Sequence, residues 1–321
     1  MDALSDVLKS VRLEGAVFVD AEFTEPWCLR GKFGLARARK RLASADADHV
    51  VFFHFLLAGR CKIRLADGGE TLDASAGDVV LFPHDDRHLM GSDLRLEPLD
   101  AEAAARVHDP VLNAIRADGA GAKTRFVCSY LACSSSVNRV LFGSLPRMVR
   151  IAIGDGPAVV PIRELLRVGV SQTAAAQPGA ESLLAKLAEL LFVEALRRYA
   201  ETLSPGGRGW LAAARDRTVG HALALLHRGP TDAWTVDKLA REVGLSRSAL
   251  ADRFNSLVGE SPMQYLKRWR LALAAQALRA SRETVLRVAE RSGYESEASF
   301  NRAFKREFGM PPAAWRRALP G

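Results

Sequence analysis

Asn301 and Arg302 stand side by side near the start of the segment Glu297 to Phe308. Asn can make paired hydrogen bonds to adenine, and Arg to guanine, so the two suit the reading of base edges. Glu297 and Ala298 lie one helical turn before them and share their face. About fifty residues upstream, Arg247, Ser248, Ala251 and Asp252 hold the matching places. Asp252 is the odd member, because a carboxylate repels phosphate. It could accept from a cytosine amino group, or pair with Arg253 or another neighbour. Lys267, Lys305 and Arg306 suit phosphate, a contact that fixes register without reading sequence; otherwise each is a solvated surface charge. Phe254, Phe300, Phe304 and Phe308 are expected in the core rather than stacked on bases.

The elements that must position these residues are written as an internal repeat. Leu239 to Arg268 and Val288 to Arg317 match at Ala240 and Ala289, Gly244 and Gly293, Ser246 and Ser296. The match continues at Phe254 and Phe304, Gly259 and Gly309, Pro262 and Pro312. Each copy has the pattern of a helix-turn-helix: a small Ala lets the two helices approach, and a Gly permits the turn. Thr235, Ser246, Thr284 and Ser296 are placed as N-caps. A long helix is expected over Met263 to Ala280, free of internal Gly and Pro, as a rigid spacer. Charge follows the same division. Residues 204–321 carry 20 Lys and Arg against 11 Asp and Glu, whereas residues 1–203 carry 25 against 26. A basic half beside a neutral half fits phosphate binding by one and a different task for the other.

The neutral half reads as short strands between turns. In CKIRL, apolar and charged residues alternate, so Cys61, Ile63 and Leu65 should point inward. Several such strands suggest a small antiparallel barrel or sandwich. From about Asn138 the pattern turns helical. Leu184, Leu187, Leu191 and Ala195 form an apolar stripe suited to the barrel or to a second copy of itself. The breaker-rich stretch Ser204 to Gly209 reads as a linker. His54 and His88 could supply two imidazoles, with His84 or Asp86 nearby. A stable metal site usually needs three or more protein ligands; otherwise the histidines are satisfied by hydrogen bonds. The four cysteines, Cys28, Cys61, Cys128 and Cys133, lack framework or metal-knuckle spacing, so reduced thiols are expected. The start, MDALSDVLKS, has no basic-then-apolar pattern, and the longest apolar run, Val50 to Ala58, contains His54. A cytoplasmic protein with no membrane span is therefore expected.

The segment from about Arg215 to Leu319 resembles the DNA-binding domain of the AraC/XylS family of bacterial transcription regulators. The second repeat, VAERSGYESEASFNRAFKREFGMPPAAWRR, carries the signature, with Trp315 where Tyr is usual. The resemblance implies seven helices, with two recognition helices in successive major-groove turns on one face of DNA. Residues 1–135 resemble the cupin-type sensor domains joined to such halves. Gly77 to His88 is similar to the second cupin motif, G-x5-P-x-G-x2-H, with Asp85 at the place usually held by Gly. His54 begins a segment similar to the end of the first cupin motif, whose His-x-His pair and Glu are absent here. Some regulators of this kind respond to reactive chlorine through a cysteine pair. One of those positions falls on Cys128 and the other on Ala21, with Cys28, beside Trp27, as the substitute partner.

The expected architecture is α+β with two domains. A cupin-like antiparallel β-barrel spans 1–135 and a helical dimerisation segment 136–203. A linker spans 204–213, and an all-α double helix-turn-helix 214–321. The expected activity is sequence-specific transcription regulation answering a small-molecule, metal or oxidant signal. The expected partners are double-stranded DNA, RNA polymerase, the effector and a second copy in a homodimer. The one cofactor considered is a metal ion in the cupin-like barrel. The readings set against this are a cupin-type metal-dependent enzyme fused to a DNA-binding domain, and a DNA-architectural protein.

Overall fold

The computed structural model describes residues 3–10, 14–32, 34–35, 38, 49–101, 113–117, 119–133, 142–143, 145–154, 156, 159–174, 177–204 and 207–318. The expected helical onset near Asn138, the linker residues Pro205 and Gly206, and Leu319 lie outside them.

The N-terminal half is built on two sheets. Six strands form the first: β1 (Glu14–Thr24), β3 (His49–Ala58), β6 (Asp78–Phe82), β9 (Asn113–Ala117), β10 (Lys123–Cys133) and β11 (Val149–Ala152). They lie in the order β11-β6-β3-β10-β1-β9. Five form the second: β2 (Cys28–Gly31), β4 (Arg60–Leu65), β5 (Thr71–Ser75), β7 (His88–Gly91) and β8 (Leu99–Asp100), in the order β5-β4-β7-β2-β8. The sheet-rich half is as expected, but a closed barrel is not shown: among the described residues the two ladders stay separate. Its first sheet also reaches past residue 135, because β11 pairs with β6.

Both faces of the first sheet are buried, which is why β3 reads as a nearly continuous apolar run. Phe52, Leu56, Val80, Phe82, Phe126, Cys128 and Tyr130 point between the sheets. The alternate residues Phe53, Phe55, Val79, Leu81, Val127 and Leu131 point the other way. There they meet helices α2 (Val159–Ala174) and α3 (Ala180–Thr202). Gly15 lets α3 come close to β1, since a methyl group there would stand 3.0 Å from the Ala185 carbonyl. The stripe Leu184, Leu187, Leu191 and Ala195 is fully used in this packing, so of its two sequence readings the structure selects the internal one.

The C-terminal half is helical: α4 (Trp210–Arg215), α5 (Arg217–Arg228), α6 (Val236–Glu242), α7 (Arg247–Val258), α8 (Pro262–Ala280), α9 (Val285–Arg291), α10 (Glu297–Phe308) and α11 (Pro312–Arg317). Helix α4 begins inside the stretch expected as linker, and the other seven answer the expectation. Thr235, Ser246, Thr284 and Ser296 each accept a backbone N–H at the start of α6, α7, α9 and α10. Such a cap contributes about 1 kcal/mol. Ser261 and Gln264 close a reciprocal capping box on α8.

The halves share buried surface. One apolar cluster runs from the first sheet through α3 into α4, α5 and the first helix-turn-helix. Helix α1 (Ala3–Ser10) packs on α5, with Val7 fully buried and Asp6 3.8 Å from Arg228. The second helix-turn-helix has a core of its own.

Candidate nucleic-acid interface and sensor core

The two recognition helices, α7 and α10, present the expected residues outward. Arg247, Ser248, Asp252, Glu297, Ala298, Arg302, Lys305 and Arg306 are exposed, and Ala251 and Asn301 half-buried. Phe254, Phe300 and Phe304 are fully buried and anchor the opposite face, so the helices cannot roll. Among the described residues no side-chain hydrogen bond or ion pair engages Asn301, Arg302, Lys305, Arg306 or Lys267, which leaves these donors free for a ligand. Arg247 is 3.5 Å from Asp237 in an exposed pair that costs little to break.

The Asp252 side chain finds no partner among the described residues, so of its two readings the pairing with Arg253 or another neighbour is not found. Arg253 instead binds Asp216, with Nη2 2.7 Å and Nε 3.1 Å from its carboxylate. Asp216 also caps α5, accepting from the Thr218 and Val219 amides. Burial opposes ionisation of Asp216, but Arg253 and the cap amides outweigh it and hold its pKa at about 2. This anchor of α7 was missed in the sequence because its partners are 37 residues apart. Trp315 fills the place usual for Tyr by packing on Phe304 and Phe308, with the Arg279 guanidinium 4.2 Å above its ring.

In the N-terminal half, strand register brings three expected residues together. His54 on β3 is directly opposite Cys128 on β10. Cys128 Sγ is 3.1 Å from His54 Nδ1, and His54 Nε2 is 2.8 Å from His88 Nε2. His88 Nδ1 lies 3.0 Å from the Asp86 carbonyl. A carbonyl only accepts, so His88 carries its proton on Nδ1. Its Nε2 must then accept from His54 Nε2–H, which leaves His54 Nδ1 to accept from the Cys128 thiol. The chain is fully satisfied with both imidazoles neutral. Burial pushes the His88 pKa down to about 4; burial and the adjacent His88 hold His54 well below its ordinary value.

The setting is aromatic. His88 stacks on Phe82 with ring centres 3.8 Å apart, and His54 meets Phe52, Phe82 and Phe126 edge to face. Gly31 makes room for His88: a methyl group there would stand 2.5 Å from His88 Nε2. Asp85 adopts a φ of 54° where the cupin motif usually has Gly, a backbone state Asp tolerates better than most residues. Its carboxylate is held 2.7 Å from the Gly34 amide.

The other expected residues are not gathered here. His84 is exposed in the turn before β7, so His54, His84 and His88 do not form the metal set considered from the sequence. Among the described residues, no group of three metal-ligating side chains occurs. Cys28 is not brought to Cys128. On β2, Leu29 and Gly31 face the interior that holds His88, while Cys28 and Arg30 alternate to the other face. Burial raises the Cys28 pKa, against the pull of Arg30. All four cysteines are thiols in this structure.

A sheet-rich half with a closed polar core, joined to paired helices with free basic donors, defines a sensor coupled to a DNA reader. Comparison with known proteins agrees. Residues 2–201 match the Cupin family, and residues 239–318 match the Helix-turn-helix domain family. An AraC-like transcription regulator of Streptomyces lividans is 31% identical over 99% of this chain and 98% of its own. The RCS-specific HTH-type transcriptional activator RclR of Escherichia coli is 29% identical over 99% of this chain and 98% of its own. The DNA-binding domain of AdpA, solved in complex with a target DNA, is 31% identical over 32% of this chain and 93% of that chain, with a TM-score of 0.31. The chain belongs to the AraC-like, DNA-binding transcription regulators with an N-terminal cupin domain. No helix among the described residues is long and apolar enough to cross a membrane.

Proposed function

We propose that this regulator senses its signal at the Cys128–His54–His88 chain and answers it at DNA through Arg247, Ser248, Ala251, Asp252, Glu297, Ala298, Asn301 and Arg302. Lys267, Lys305 and Arg306 clamp phosphate. The observation that carries the sensor reading is the thiol donating to His54 in a buried line of hydrogen bonds. Such a line directs the thiol hydrogen at His54 Nδ1 and so orients the sulfur. The signal this favours is a two-electron oxidant. With hypochlorous acid, the Cys128 sulfur takes the chlorine as the O–Cl bond breaks, and the thiol proton leaves with the released hydroxide as water; a second water then displaces chloride to give a sulfenic acid and HCl. The name of the Escherichia coli relative, an RCS-specific activator, points the same way. At rest the thiol is buried within this hydrogen-bonded line. Because Cys28 faces away, the switch works through Cys128 and its histidines rather than through a Cys28–Cys128 disulfide.

The protein acts in the cytoplasm as a homodimer that engages RNA polymerase. Among the described residues, Leu165 and Val168 on α2 and Leu190 on α3 are the exposed large apolar residues of the helical segment and supply the dimer face. Regulation rather than catalysis is the role the named relatives support. The test is DNA affinity before and after hypochlorous acid. The wild type should change and Cys128→Ser should not. Cys28→Ser should respond like the wild type. An equal response in Cys128→Ser removes this reading.

A further inference from the structure

The two helix-turn-helix units have separate cores and are joined by α8. Tyr265, Leu266 and Trp269 belong to the core of the first unit. Leu271, Ala274, Ala275 and Leu278 belong to that of the second. The handover falls around residue 270, with Leu273 still reaching back to the first core. Among the described residues, no helix of the first unit packs broadly on a helix of the second. A single helix leaves the units able to twist about its axis unless something brackets them.

Arg270 is placed to do so. Its Nη2 donates to the Asp232 carbonyl at 3.0 Å, and its Nε to the Pro230 carbonyl. Both carbonyls sit in the turn between α5 and α6, in the first unit. The same guanidinium lies against Gly293 in the turn of the second unit, where an added methyl group would stand 3.3 Å from Arg270 Cζ. The repeat makes the contrast plain. Gly244 holds the matching turn of the first unit, and a methyl group there would meet nothing within 4 Å. The contact at Gly293 is therefore no general feature of the motif. Arginine suits the task because its planar fork reaches two carbonyls and lies flat on a backbone at once, which lysine cannot do.

We propose that Arg270 is the positioning residue that fixes the rotation of the second helix-turn-helix against the first, and so sets the spacing of the two DNA segments gripped together. The inference rests on both recognition helices engaging DNA. Once one unit is bound, the second binds at an effective concentration that collapses when geometry is wrong. One added base pair turns the second segment by about 34° around the duplex axis, given about 10.5 base pairs per turn.

The test uses the full chain and a duplex that the wild type selects from a randomised library. Two derivatives carry one base pair more, or one fewer, between the two contacted segments. For the wild type the altered spacing should weaken binding about tenfold or more. For Arg270→Met, which keeps the aliphatic stem and loses the donors, that ratio should fall to about threefold or less while affinity for the selected duplex also drops. A ratio is read because an unfolded fraction weakens all duplexes equally. Arg270→Lys, which keeps charge and stem, should retain most of the loss and stands in if Arg270→Met does not fold. An unchanged ratio in both variants overturns the proposal, and so does a wild type indifferent to spacing. Arg302→Ala separates the causes: if it leaves wild-type affinity unchanged, it is the engagement of the second recognition helix that has failed.

Discussion

Arg302 and Lys305 lie one turn apart on α10, both exposed and both without a protein partner among the described residues. Their chemistry differs. Arg302 offers a planar fork that matches guanine, whereas Lys305 offers a mobile point charge. Arg302→Ala should therefore cost about 1–3 kcal/mol on the preferred site and relax preference at one base position. Lys305→Ala should weaken all sequences evenly and lower the salt slope by about one. Competition binding that shows the reverse pattern would exchange the two roles. The buried histidines make a prediction of another kind. Unfolded His88 takes a proton near pH 6.5, but in the fold it resists until about pH 4. The unfolded state thus binds more protons across that window. Stability contributed by neutral His88 is present above pH 6.5 and is lost as pH falls toward 4, by an amount of about 3 kcal/mol. Urea titrations between pH 7 and pH 4 should show this slope and show it reduced in His88→Leu. Gly31→Ala should push His88 out of line with His54, so it should destabilise the sensor half even at pH 7 and alter Cys128 reactivity toward a thiol reagent. Unchanged reactivity would mean that the hydrogen-bonded line does not govern the thiol.

At the scale of elements, α3 shows what an apolar stripe can and cannot announce. Spacing places Leu184, Leu187, Leu191 and Ala195 on one face but does not name the surface that face meets. The sheet claims it, since the outward-pointing residues of β3, β6 and β10 need a cover as much as α3 does. Leu187→Asp with Leu191→Asp should therefore unfold the N-terminal half rather than yield folded monomers, because a carboxylate would be buried without a partner. Leu165→Asp with Val168→Asp, on the exposed face of α2, is the pair that should give folded monomers. Sedimentation and circular dichroism on both pairs would decide, and a wild type that sediments as a monomer would end the dimer proposal. The helical half was legible because its signals are local: caps, turn glycines and a repeat lie within a few residues of what they control. The meeting of His54 with Cys128 was not, because it depends on β3 and β10 pairing across 74 residues. Nor was the failure of Cys28 to join them, which turns on a one-residue alternation along β2.

For the whole molecule, the decisive asymmetry is charge. The C-terminal residues 204–321 carry nearly all the excess cations, and the N-terminal half is close to neutral. Phosphate binding releases condensed counterions, so the logarithm of affinity should fall linearly with the logarithm of salt, by about 0.9 for each phosphate neutralised. Per DNA-binding half engaged, the full chain and the fragment 210–321 should share that slope, because the sensor half adds no cations to the interface. They should differ in stability. The first helix-turn-helix shares its core with the sensor half, and Val7 on α1 is buried against α5; the fragment exposes this surface and should melt below the full chain. On the proposed function, that shared surface is the route by which a change at Cys128 would reach α7, through the first sheet, α3 and α4. A full chain whose slope is much shallower than the fragment's would show the sensor half screening the DNA face. A fragment as stable as the full chain would show that the shared core carries no coupling, and the signal would have to travel through the dimer instead.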